Sequence, residues 1–142
     1  MRTIGAVAVQ QNPVSFGGIG SVWSPKGESM ARPNFIELPT RDLAASRAFF
    51  EAAFGMVMTP FGPTYACTLT GDVDIGLQAD PHEATQAPLP VIAVTDLEAT
   101  LAAVVAAGAA VTKPIFGFPG GRRFHFRDPG GNEMAAMQAG PP

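Results

Sequence analysis

A chain of 142 residues is long enough for one domain with a continuous core and too short for two. Hydrophobic residues at 46% and charged residues at 15% exclude a disordered tail, and 16 Gly with 14 Pro in no repeating period exclude collagen and long-helix bundles in favour of a turn-rich α+β domain. A formal charge of −3 argues against a nucleic-acid partner, and a single cysteine, Cys67, allows neither an internal disulfide nor a multi-cysteine zinc site, which points to a reducing, cytoplasmic setting.

Residues 1–33 carry five Gly and two Pro in their first 29 positions and show no helical or strand period. The apolar stretch Ile4–Val9 is too short for a signal peptide and no window reaches the length of a membrane span, so no membrane partner is expected. This segment reads as a flexible or weakly docked extension, with Met30 as an alternative start and the domain running over 34–142.

From Asn34 the pattern sharpens. Phe35–Pro39 alternates as a strand, and Asp42 offers an N-cap to a helix marked by Leu43, Phe50 and Phe54 and closed by Gly55. Strands are expected over Met56–Thr59, Thr64–Thr70 and Val73–Gln78, the last two joined by a Gly71-Asp72 hairpin. Residues 79–88 have the composition of an exposed linker. Leu89–Val94 is then an apolar strand, Thr95 and Glu98 form a capping box, and Leu97, Leu101, Val104 and Val105 mark one helix face that ends at Gly108. Ala110–Lys113, Arg122–Arg127 and Asn132–Gln138 supply three more strands, the last two joined by Asp128-Pro129-Gly130-Gly131.

The order strand, helix, three strands therefore occurs twice, over 34–78 and 89–138, with Asp42-Leu43 and Asp96-Leu97 offset by 54 residues. Each unit is too small to bury a core alone, so the two must pack together. Within the strands, Ile36, Leu38, Ile75, Leu77 and Met134 share one parity and suit packing under the helices. The other parity mixes Phe35, Val91, Ala93 and Met137 with acids and an amide, the composition of a small-molecule pocket.

These paired units, the string FIELPTRDLAASRAFFEAAFG and the run GGRRFHFRDPGGNEMAAMQ resemble the glyoxalase/bleomycin-resistance group, the vicinal oxygen chelate superfamily, over roughly residues 34–138. The resemblance implies an α+β fold of two βαβββ repeats forming a curved, mostly antiparallel sheet with its helices on the outer face. It leaves function open, because the group includes isomerases, lyases, dioxygenases and non-catalytic antibiotic binders. It also implies where metal-dependent members place their ligands, and counting from the helix starts and the last turn puts these positions at Phe35, Gly76 (or, with a shift, Gln78), Leu89 and Ala135. Phe, Gly, Leu and Ala supply no side-chain donor, so no metal and no cofactor is expected.

Glu37 shares the strand face of Phe35, Asp74 and Gln78 share that of Gly76, and Glu133 that of Ala135. Glu37 is either a base or anchor inside the concavity or a carboxylate reaching solvent or an arginine. Glu133 reads as a solvated or salt-bridged acid, and His125, directed away from Phe124 and Phe126, as a structural or a catalytic histidine. Arg123, in the cluster Arg122-Arg123 and Arg127, either orients an anion or pairs with surface acids; Tyr65 and Cys67 either line the pocket or pack half-buried. Residues 34–142 hold six basic and eleven acidic side chains, net −5, which favours a cationic or polar-aromatic ligand.

Two functions follow. One is metal-independent binding of a small organic molecule by Phe35, Tyr65, Asp74, Gln78, Val91, Arg123, Glu133 and Met137. The other is a lyase or isomerase with Glu37 as general base and His125 or an arginine stabilising negative charge. A metalloenzyme with displaced ligands requires Glu37, Gln78 and Glu133 to converge. A homodimer is expected, since open curved sheets leave edges and apolar surface that one short chain cannot cover.

Overall fold

The computed structural model describes residues 31–141. The expectations placed on 1–30, a flexible or weakly docked extension with an alternative start at Met30, lie outside the described residues. Strands and helices follow one another as β1 (Arg32–Pro39), α1 (Leu43–Phe54), β2 (Thr59–Pro60), β3 (Tyr65–Cys67), β4 (Asp74–Gln78), β5 (Leu89–Ala93), α2 (Leu97–Ala106), β6 (Ala110–Phe118), β7 (Gly121–Arg127) and β8 (Glu133–Ala139). β1 begins two residues before the expected boundary, because Arg32 pairs with Ala93 and Pro33 with Ile92 on β5.

All eight strands join one curved sheet in the order β2-β3-β4-β1-β5-β8-β7-β6. β1 runs parallel to β4, and β5 parallel to β8; the other five pairings are antiparallel. The helices cover one face. Leu38, Leu43, Phe50 and Met56 pack on Met58, Ala66 and Leu77 beneath α1, while Leu101, Val104, Ile115 and Met134 pack on Leu97, Phe124, Phe126 and Ala136 beneath α2. The expected parity holds here: Leu38, Leu77 and Met134 lie under the helices, and Phe35, Leu89, Val91, Ala135 and Met137 form a separate cluster on the opposite face.

Local chemistry explains the helix ends, with corrections to two expectations. Asp42 caps α1 by accepting from the Ala45 amide at 3.0 Å, and Gly55 ends it at φ 67°, the left-handed conformation that glycine adopts without a Cβ penalty. On α2 the cap is Asp96, accepting from Ala99 at 3.0 Å, rather than Thr95: the helix starts one residue later, and Glu98 reaches out to Arg122 instead of back to a capping box. Phe54 is 63% exposed and Val105 51%, so neither belongs to its helix's buried stripe; in the last turn of α1 the rings of Phe49, Phe50 and Phe54 pack on one another.

β6 is nine residues long where four were expected. Pro114 interrupts the apolar pattern and lacks an amide proton, but an edge strand tolerates both, and the register with β7 shifts on either side of Lys113. The extension carries Phe116 and Phe118 along β7.

Candidate functional site

On the face away from the helices, directly paired positions align one inward row after another. Phe35 lies opposite Val91, Glu37 opposite both Leu89 and Gly76, Val91 opposite Ala135, His125 opposite Ala135 and Arg123 opposite Met137. Leu89 and Ala135 are fully buried and Val91 is nearly so, which makes the middle of the concavity an apolar floor.

Glu37 is 2% exposed on that floor. Arg123 holds it through two parallel bonds: Nη1 donates to Oε1 at 3.2 Å and Nη2 to Oε2 at 3.3 Å. Tyr65 donates its phenol proton to the same Oε1 at 3.3 Å. Strands β1 and β7 have β5 and β8 between them, so on a flat sheet their backbones would stand about 14 Å apart. The curvature of the sheet and the length of the arginine close that gap. Burial, followed by the adjacent Glu37 carboxylate, pushes the Tyr65 phenol far above its usual range, so it stays protonated and acts as a donor. Phe116 and Phe118 place their rings 5.4 and 5.5 Å from the guanidinium carbon.

A cavity of about 640 Å³ opens over this cluster, lined by Phe35, Glu37, Phe61, Tyr65, Cys67, Asp74, Gln78, Val91, Phe116, Phe118, Arg123 and Met137 among others. Its volume lies within the usual range for small-molecule sites. A second cavity, about 880 Å³, lies between residues 82–88 and Lys113, His125, Arg127 and Glu133. There His125 is 2% exposed, with Nδ1 3.4 Å from Glu133 Oε2, while Lys113 pairs with Glu83 at 2.8 Å. Burial, reinforced by Arg123, holds the His125 imidazole below its ordinary pKa, against the pull of Glu133.

Several expected site residues take other places. Asp74 borders the first cavity, but its Oδ1 accepts from Thr68 Oγ1 and from the Thr70 amide and hydroxyl, and its Oδ2 from the Gly71 amide, so it organises the β3–β4 turn. Burial alone would raise its pKa; these bonds outweigh it and leave the carboxyl below the usual range. Gln78 spends its carbonyl on the Asp80 amide at 2.9 Å. Glu133 lines the second cavity, so Glu37, Gln78 and Glu133 do not converge, and the reading with displaced metal ligands falls. His125 borders the second cavity and Glu37 the first, with Glu83 lining both.

Phe35, Tyr65, Val91, Arg123 and Met137 do meet around Glu37. Phe61, Phe116 and Phe118 join them without having been singled out. The alternating Phe116-Gly117-Phe118 before Pro119-Gly120-Gly121 is the readable signal of a hairpin arm that places two rings on one face.

The family model described as Glyoxalase/Bleomycin resistance protein/Dioxygenase superfamily matches residues 32–135, and the chain belongs to this superfamily. No curated protein matches the chain by sequence. Among solved structures, methylmalonyl-CoA epimerase from Mycobacterium tuberculosis is similar with a TM-score of 0.62 at 14% identity, over 78% of this chain and 89% of that one. A glyoxalase/bleomycin resistance protein/dioxygenase superfamily member from Vibrio splendidus 12B01 gives 0.61 at 17% identity, over 78% and 99% of the two chains. The Mn(II)-bound glyoxalase from Novosphingobium aromaticivorans gives 0.59 at 20% identity, over 77% of this chain and 40% of that one. At these identities the likeness is one of fold.

A manganese-bound neighbour raises the question of whether this concavity suits a divalent ion. The inward residues Phe35, Gly76, Leu89 and Ala135 offer no side-chain donor. A Cβ placed on Gly76 would collide with the Tyr65 hydroxyl and the Phe35 ring, so that space is already filled by aromatic side chains. Both oxygens of Glu37, the one fully buried carboxylate among the described residues, are engaged by a guanidinium. The donor set does not fit a metal ion.

Proposed function

We propose that this protein binds a small aromatic molecule, uncharged or cationic, in the cavity over Glu37 and Arg123, without a metal. The observation that carries the reading is a cavity of about 640 Å³ walled by Phe35, Phe61, Phe116, Phe118 and Met137, in which the partly buried guanidinium of Arg123 is already matched by a buried carboxylate. Such a wall rewards apolar surface, and its sparse polar groups orient the ligand. Of the acids that border the space, Glu37 pairs with Arg123, Asp72 with Arg32 and Glu83 with Lys113, which leaves Asp74 and Asp80 as the excess among the described residues, so a further anion would meet repulsion. For a lyase or isomerase, Glu37 would have to reach a substrate, and both of its carboxylate oxygens are already engaged by Arg123 and Tyr65.

The test is a matched set on one ring: 2-naphthylmethylammonium, 2-naphthalenemethanol and 2-naphthoate, titrated by calorimetry. The cation and the alcohol are expected to bind at least tenfold more tightly than the carboxylate. Preferential binding of 2-naphthoate, or no binding by any of the three, overturns the reading.

The protein as proposed acts as a homodimer in a reducing, cytoplasmic setting. Among the described residues the sheet ends in β2 and β6 without a further strand, and Phe49, Phe54 and Val57 on the α1 side are more than half exposed; the lone Cys67 is a buried free thiol.

A further inference from the structure

In the cavity over Glu37, Arg123 contributes more hydrogen-bonding capacity than the protein consumes. A guanidinium carries five N–H donors in a rigid fork, and Glu37 takes one from each terminal nitrogen. Three N–H groups remain, and Nε in particular is buried without any partner among the described residues. A buried donor left unpaired is costly, and native structures seldom keep one without a use. The side chain is 12% exposed and borders the cavity, and the rings of Phe116 and Phe118 flank it. Glu37 fixes the orientation of the fork, and Tyr65 in turn fixes Glu37. The result is a preorganised cation with donors to spare, at the centre of a concavity whose donor set does not fit a metal ion.

We infer that Arg123 is the polar anchor of the ligand: its spare N–H donors take an uncharged oxygen acceptor, a carbonyl or phenolic oxygen, on an aromatic molecule stacked among Phe35, Phe116 and Phe118. The acceptor is uncharged because Glu37 already neutralises the guanidinium, and a further carboxylate would stand close to a buried one. This rests on the proposed binding role and adds to it the chemical group that sets specificity. Glu37 and Tyr65 are positioning residues, acting through Arg123.

The experiment compares 2-acetylnaphthalene with 2-isopropenylnaphthalene, which share one shape and differ in whether the branch ends in an acceptor oxygen or a methylene. Affinities are measured by calorimetry on the full chain, with and without EDTA, for the wild type, Arg123→Lys and the double variant Glu37→Gln/Arg123→Met. The double variant removes both charges together, so no unpaired ion is left buried. The wild type is expected to prefer the ketone at least tenfold, unaffected by EDTA; Arg123→Lys should narrow that preference and the double variant should abolish it. Equal affinity of the wild type for both compounds overturns the inference while leaving the binding role standing. So does a ketone preference that persists in the double variant or disappears on chelation. Should the double variant fail to fold, the wild-type ratio and Arg123→Lys still decide. Binding of neither compound, together with none of the charge-matched set, removes the binding role itself.

Discussion

Glu37 and Arg123 are individually expensive and jointly tolerable. A carboxylate 2% exposed loses its water, and only the two guanidinium bonds and the Tyr65 hydroxyl replace it. Arg123→Met alone is therefore expected to lower the unfolding free energy by about 3–5 kcal/mol, while Glu37→Met/Arg123→Met should cost far less, because no charge is stranded. Urea denaturation of the two variants checks this, and equal losses would show that the pair's electrostatics do not govern the site. His125 makes a pH prediction with a definite sign. Its folded pKa is held below the ordinary 6.5 by burial and by Arg123; Glu133 opposes, and Lys113 also faces it across the β6–β7 pairing. Between the folded value and 6.5 the unfolded chain binds more protons, so stability falls as the pH drops through about 6.5 and levels off below the folded value. Unfolding measured from pH 7.5 to 5.5 should show this decline, and His125→Gln should flatten it.

At the level of elements, two aspartates rather than the neighbouring threonines decide where the helices begin. Asp42 and Asp96 each accept from the amide three residues on, at 3.0 Å. Asp96→Ala is expected to cost about 1 kcal/mol, whereas Thr95→Ala should cost no more than a surface change, roughly 0.5 kcal/mol or less. The reverse order in thermal or urea unfolding would restore the capping box at Thr95. On β4, Gly76 is there for space rather than for a turn: an added methyl meets the Tyr65 hydroxyl and the Phe35 ring. Gly76→Ala should destabilise by about 1–3 kcal/mol, and because both displaced groups belong to the cavity wall, it should also weaken ligand binding. Its removal from a chain already lacking the Phe35 ring should cost less, which a double-mutant cycle with Phe35→Ala would measure.

At the scale of the whole molecule, a single eight-stranded sheet carries both halves, and among the described residues it terminates laterally in the two-residue β2 and the bulged, proline-containing β6. With exposed Phe49, Phe54 and Val57 on the α1 side, a dimer is the expected state. Sedimentation at micromolar concentration checks it, and a monomer there counts against it. The start of β1 gives a companion test: a chain begun at Asn34 loses the Arg32–Ala93 and Pro33–Ile92 pairings, whereas one begun at Met30 keeps them. The shorter chain should melt several degrees lower.

The helices, the turns and the two-sided patterning of the strands were legible in the sequence, because each is dictated by groups a few residues apart: an aspartate and the amide three residues on, a glycine at φ 67°, alternation along β1, β4 and β8. For the same reason Glu37 could be placed on the inward face beside Phe35 from parity alone. What it meets there could not. Its partner Arg123 is 86 residues away and Tyr65 is 28, and whether an inward carboxylate becomes a free base, a metal ligand or half of an ion pair depends on how far the sheet curves. That curvature is a property of eight strands acting together, and with it comes which residues line each cavity: Glu37 the first, His125 and Glu133 the second. Local chemistry therefore determined the elements and their faces, while long-range packing alone decided which charges neutralise one another and which donors are left for a ligand.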